Sequence, residues 1–275
     1  MSRNELNPKN LLTNDEIKFF KRNGYVVKRQ ILDRILMRQA IESSWRELPT
    51  SFSRNDPETW KGIVTDSCMT CSMTERRGVV KLRDCLNSEE SILEMYPRNP
   101  IVWGIVEQLL GQDNVALPSY IRGIYLNFPV PEIQGECLNS QHYEKHSLQL
   151  GTTAYLDDVA PDGGEFVVYP KSHILMNYAF RTRWNDDESR RVQFMRRVLS
   201  RVIRPTKLHG KAGDVIFWHH RLLHGRNFNS SRRLSYAAVC DFSTNSLEEQ
   251  KTHAEPWNTN DMQRPSINMW RDWAV

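Results

Sequence analysis

The chain has 275 residues, 39% of them hydrophobic and 25% charged, enough for one large domain with a sizeable core. Its net charge of +4 is too mild for the basic stripe of a nucleic-acid binder, and no apolar run approaches the roughly 20 residues needed to span a bilayer. With a polar start that lacks an apolar signal segment, the expectation is a cytosolic protein with no membrane or nucleic-acid partner, whose five cysteines are reduced thiols.

In chain order, Thr13 with Glu16 three residues on makes a capping-box pattern; Ile17 and Phe20 then give an apolar helical face that Gly24 ends. LDRILMRQAIESSWREL repeats the amphipathic period through Ile35, Ala40, Ile41 and Trp45, and NPIVWGIVEQLLG is a third helix closed by Gly111. The N-terminal part, to about residue 115, thus reads as a helical layer. Cys68 and Cys71 form a C-x-x-C, but no second pair completes a zinc ribbon, so a structural or incidental role is expected.

From about residue 116 the texture changes. YIRGIYLNF, LQLGTTAYLDDV, GEFVVYP, GDVIFWHHRLLHG and RRLSYAAVCDF are short, rich in β-branched and aromatic residues, and separated by turn residues. Such strands without regular intervening helices argue for an antiparallel sandwich or barrel rather than a parallel α/β sheet. One stretch, WNDDESRRVQFMRRVLSRVI, reads as an inserted helix. The expected whole is a single domain over residues 1–275: the helical layer, a β core to about residue 245, and a tail whose Trp270 and Trp273 cap the core.

The stretch QHYEKHS carries the chemistry. His142-x-Glu144 puts an imidazole and a carboxylate two residues apart, on one face if the backbone is extended. A third ligand must come from elsewhere; His224 is the best placed, just after a strand-like run, while His173, His219 and His220 compete for the role. Two imidazoles and a carboxylate that leave other positions open are the donor set of non-haem Fe(II) oxygenases. H-x-E alone is common and is as readily a solvated loop pair. Further on, Arg233 and Ser235 share one face of a strand, where a guanidinium and a hydroxyl can hold a distant carboxylate.

Four ordered segments raise the specificity: LTNDEIKFFKRNGYVV, VVKLRDC, QLGTTAYLDDVAPDGGEFVVYPKSH and KAGDVIFWHHRLLHGRNFNSSRRLSYAAV. Together they resemble the phytanoyl-CoA dioxygenase family of Fe(II)- and 2-oxoglutarate-dependent oxygenases. The resemblance implies a mainly β fold with flanking helices, its core a double-stranded β-helix (a cupin-like jelly roll). It implies iron ligands His142, Glu144 and His224, with Fe(II), 2-oxoglutarate and O2 as cofactor and cosubstrates. It places the cosubstrate lysine on Lys81 and the carboxylate-binding arginine on Arg233, with weaker matches at Tyr143, Thr153, Ser235, Tyr125 and Asn127. His173 becomes a structural residue at a turn, and His146 a bystander.

Two departures matter. The carboxylate is Glu where the family usually has Asp, and its presence argues against a halogenase. Arg233 follows His224 by only nine residues, closer than the family's usual spacing, so Arg232 stays open for the same role. The implied activity is oxidation, by default hydroxylation, of a C–H bond of a small polar metabolite, with release of succinate and CO2. Arg122, Arg181, Arg183 and Arg226 are candidates for pairing an acidic group on it. The expected enzyme is a monomer or homodimer. Desaturation or oxidative cyclisation uses the same cofactors, and a non-catalytic cupin-like binder and a zinc hydrolase are the rivals of other classes.

Overall fold

Thr13 caps helix α1 (Asn14–Asn23) reciprocally: its Oγ1 accepts from Glu16 N at 3.2 Å, and its own N–H donates to Glu16 Oε2 at 2.7 Å. Gly24 ends the helix at φ 81°, where an added Cβ would also lie 2.5 Å from His173 Nδ1, so both conformation and space demand glycine. The computed structural model describes residues 11–60, 78–83, 86–130, 141–144, 148–179 and 190–253. Among these, no helix is long and apolar enough to cross a membrane.

The chain leaves α1 directly into β1 (Tyr25–Lys28) and then enters α2 (Arg34–Arg46), capped by Asp33. Helix α2 buries Met37, Ala40 and Ile41; Ile35, expected on the same apolar face, lies in the first turn and is 66% exposed. After β2 (Val79–Leu82) come α3 (Glu90–Met95) and α4 (Pro100–Leu110). Asn99 caps α4, and Gly111 closes it as the sequence pattern predicts.

The larger sheet has six strands in the order β1, β7 (Val215–His219), β4 (Leu150–Tyr155), β9 (Ser235–Phe242), β3 (Gly123–Asn127), β2. Every neighbouring pair is antiparallel. The smaller sheet orders β6 (Thr206–Leu208), β5 (Phe166–Val168) and β8 (His224–Arg226), also antiparallel. This is the mainly β, jelly-roll-like core with flanking helices that the sequence implies. Its two outer strands, β1 and β2, nevertheless come from the part that composition reads as helical.

Strand alternation divides the larger sheet. One face carries Val26, Leu82, Ile124, Ala154, Phe217, Ala238 and Phe242, which pack with helix residues Phe20, Met37, Ile41 and Ile105. A ring such as Phe217, fully buried there, contributes on the order of 2–3 kcal/mol. The other face looks at the smaller sheet, and the register arranges it in rows: Asp241, Gly151 and Trp218; then Val239, Thr153 and Ile216; then Lys81, Tyr125, Ala237 and Tyr155; then Asn127 and Ser235. Trp218 lies against Phe166 and His224 of the smaller sheet, with ring centroids 5.9 and 4.4 Å apart.

Helices α5 (Ser172–Ala179) and α6 (Arg190–Val202), the latter within the expected insertion, close a separate cluster of Tyr143, Tyr169, Met176, Val192, Leu199 and Leu223. Helix α7 (Asn245–His253) follows β9.

Beside the site, His173, His219 and His220 lie in a buried row, with ring centroids 5.0 and 4.6 Å apart. Burial brings His173 down to about 4 and pushes the other two well below the ordinary imidazole value. In the unfolded chain all three take up a proton near pH 6.5. The folded state, with depressed pKa values, does not, so stability is full above about pH 6.5 and is lost as pH falls toward 4. The loss should approach about 1.4 kcal/mol per pH unit for each histidine. Urea midpoints at pH 7.5 and 5.5 test this: the acid value should be clearly lower, and equal midpoints would exclude the account.

Candidate metal centre

Strand β7 ends at His219 and the chain turns so that His224 opens β8, facing the larger sheet against Trp218. The segment 141–144 lies alongside and is not a strand. It makes a single bridge, His142 N–H donating to His224 O at 2.8 Å and His224 N–H to His142 O at 2.9 Å. The extended alternation still holds: His142 and Glu144 turn to the site, while Tyr143 turns away into the cluster under α5 and α6.

One ligand atom from each of His142, Glu144 and His224 lies within 4.8 Å of the other two. Glu144 Oε1 is 3.3 Å from His224 Nε2 and 3.9 Å from His142 Nε2. Ligands held at about 2.1 Å and at right angles around one ion stand about 3 Å apart, so Glu144 and His224 are already near ligand spacing and His142 lies farther out. His224 Nδ1 lies 2.8 Å from Leu222 O, and a ring that donates there has Nε2, on the side of Glu144 Oε1, as its metal-ligating atom. The residues fit the donor set of a 2-His-1-carboxylate iron centre.

Glu144 and His224 are buried, with side chains 5% and 3% exposed, whereas His142 is 56% exposed and forms the open side. Burial alone would raise the Glu144 carboxyl, but the His224 imidazole and the Arg122 guanidinium hold it well below the usual carboxylate range. Arg122 Nη1 donates to Glu144 Oε1 at 2.7 Å, and its Nε and Nη2 grip Asp241 at 2.6–3.1 Å.

Lys81 lies in the third row, its ammonium 4.8 Å above the Tyr125 ring. Burial, then the nearby charges of Arg83, Arg226 and Arg122, bring it down to about 8. Thr153 accepts from Trp218 Nε1 at 3.2 Å, and Ser235 at the far end donates to Gly163 O at 2.8 Å. Lys81, Tyr125, Asn127, Thr153 and Ser235 therefore share the face of the larger sheet that looks toward the smaller one. Arg233 does not join them: its side chain is 74% exposed and 3.4 Å from Asp157. Arg232 is exposed too. His173, His219 and His220 do not converge with the triad, and His173 is the first-turn residue of α5, next to Gly24.

The sequence reading missed the Trp218–Phe166 packing that holds the His224 ring, and the tie from Arg122 to Asp241. Arg181, Arg183, His146, Cys68, Cys71, Trp270 and Trp273 fall outside the described residues.

Solved structures share this fold. EctD from S. alaskensis with bound Fe aligns at TM-score 0.55 and 19% identity, over 86% of this chain and 78% of that one. SnoK, an α-ketoglutarate-dependent carbocyclase of nogalamycin biosynthesis, aligns at 0.52 and 16%, over 88% and 85%. HygX from Streptomyces hygroscopicus, with nickel and 2-oxoglutarate bound, aligns at 0.51 and 13%, over 85% and 88%. No curated protein sequence matches the chain. The family model for phytanoyl-CoA dioxygenase (PhyH) matches residues 20–234. Its span takes in β1, the triad and the turn into β9, and the chain belongs to the phytanoyl-CoA dioxygenase family.

Proposed function

We propose that this oxidoreductase is a non-haem Fe(II)- and 2-oxoglutarate-dependent oxygenase that hydroxylates a C–H bond of a small, polar metabolite, acting in the cytosol as a monomer or homodimer. The observation that carries the reading is the convergence of His142, Glu144 and His224 on one point. Bound there with 2-oxoglutarate and O2, Fe(II) supplies the oxidative decarboxylation to succinate and CO2 that drives substrate oxidation.

The chain's own residues do the rest. Glu144 stays ionised in a buried setting, and Trp218 and Phe166 wall the His224 ring from water. The inward row beside Lys81, with Arg226 on the opposing strand β8, gathers positive charge between the two sheets. Lys81 would be the residue of that row to hold the distal carboxylate of a keto acid bound at the triad. Arg233, turned to Asp157, would have to leave that partner to take the same role. His142 and Asp241 (side chain 30% exposed) give the open side a polar rim, which suits a polar substrate.

The likeness to the carbocyclase SnoK supports a second reading on the same cofactors, oxidative cyclisation or desaturation. Either is tested by incubating the purified chain aerobically with 2-oxoglutarate and measuring succinate. Fe(II)-dependent succinate, absent when Zn(II) replaces Fe(II), is the expected result. No succinate with Fe(II) would point to the non-catalytic binder.

A further inference from the structure

Arg122 stands at the entrance to β3, where its N–H donates to Val239 O at 2.7 Å and the next residue, Gly123, adopts φ 139°. From there its side chain reaches Glu144 of the triad, and its donors divide between two carboxylates. Nε and Nη2 hold both oxygens of Asp241, while Nη1 donates to Glu144 Oε1, the oxygen that also faces the two imidazoles. Asp241 is itself fixed by the ladder, opposite Gly151 in the row that ends at Trp218.

We propose that Arg122 and Asp241 form a positioning pair that aims the Glu144 carboxylate at the metal. The proposal rests on the metal-centre reading above. A glutamate carries one more rotatable bond than an aspartate, so its oxygen reaches further but is less fixed, and burial at one side does not choose its torsions. A charge-assisted hydrogen bond to one oxygen does. That oxygen keeps a second lone pair for a metal ion. The guanidinium does not repel the ion as a bare cation would, because Asp241 offsets its charge at hydrogen-bond distance. Glutamate, guanidinium and aspartate thus act as one unit in which the long ligand is held from behind.

The test is calorimetric titration of Co(II) into the metal-free protein, without 2-oxoglutarate or turnover. Wild type should bind one Co(II). Arg122→Met should weaken binding roughly 10- to 100-fold, with Arg122→Lys recovering part of the loss. Asp241→Asn should weaken it at least about 10-fold, since it leaves an uncompensated cation beside the ligand oxygen. In a Glu144→Asp background, whose shorter carboxylate no longer meets the guanidinium, Arg122→Met should change affinity less than about 3-fold. If Arg122→Met does not fold, Asp241→Asn carries the test. Co(II) affinity within about twofold of wild type in these single variants, with only the melting temperature of the metal-free protein lowered, would make the pair a purely structural brace and overturn the proposal. An equal loss in both backgrounds would overturn it as well. Wild type that binds no Co(II) would instead remove the metal-centre reading itself.

Discussion

Lys81→Met is expected to weaken 2-oxoglutarate binding roughly 30-fold, the effect of losing one charge-assisted hydrogen bond in a largely buried setting. Lys81 shares its row with Tyr125 on the face of the larger sheet that looks toward the smaller one, and cations crowd it. With its pKa at about 8, its charge is present below that pH and lost above it. Affinity for the dianion should therefore fall as pH rises through 8, and the variant should lose most of that dependence. Arg233→Gln should cost less than about 3-fold, because it gives up an exposed ion pair of small value. Isothermal titration of 2-oxoglutarate into the protein loaded with a redox-inert divalent ion, at pH 7 and 9, reads both variants. A larger loss in the Arg233 variant would show that the arginine leaves Asp157 to bind the cosubstrate, and would move the distal carboxylate to that end of the cavity.

That contrast marks where sequence reading reaches and where it stops. The α1 capping box and its Gly24 stop were legible because they are local patterns in which each partner lies within a few residues. The pairing of His142 with Glu144 was legible because extended backbone repeats every two residues, and this survives even though the segment forms only one bridge. The same alternation misleads at Arg233. Parity with Ser235 puts it inward, but β9 begins only at Ser235, and Asn229 holds the preceding turn by donating to Arg233 O and Asn127 O at 2.7 Å each. Outside the ladder, parity no longer dictates direction.

Strands β1, β2 and β6 span three or four residues each, too few for composition to show a period. The Arg122–Asp241 tie joins positions 119 residues apart and depends on a glycine-opened strand end, which no spacing rule announces.

His224→Ala should abolish iron binding within any practical concentration range and leave the fold in place. The ring fills a slot between Trp218 and Phe166, so its loss also opens a cavity at a cost of a few kcal/mol, small enough for the jelly-roll core to tolerate. The larger effect is chemical. Glu144 and the half-exposed His142 alone offer two donors, one of them already shared with Arg122. The direct measurement is anaerobic addition of Fe(II) and 2-oxoglutarate to the metal-free protein, followed by visible absorption. The account predicts a weak band from the chelated keto acid in wild type and none in His224→Ala. A wild type without the band at saturating Fe(II) and 2-oxoglutarate, or a variant that keeps it, would contradict the three-ligand centre.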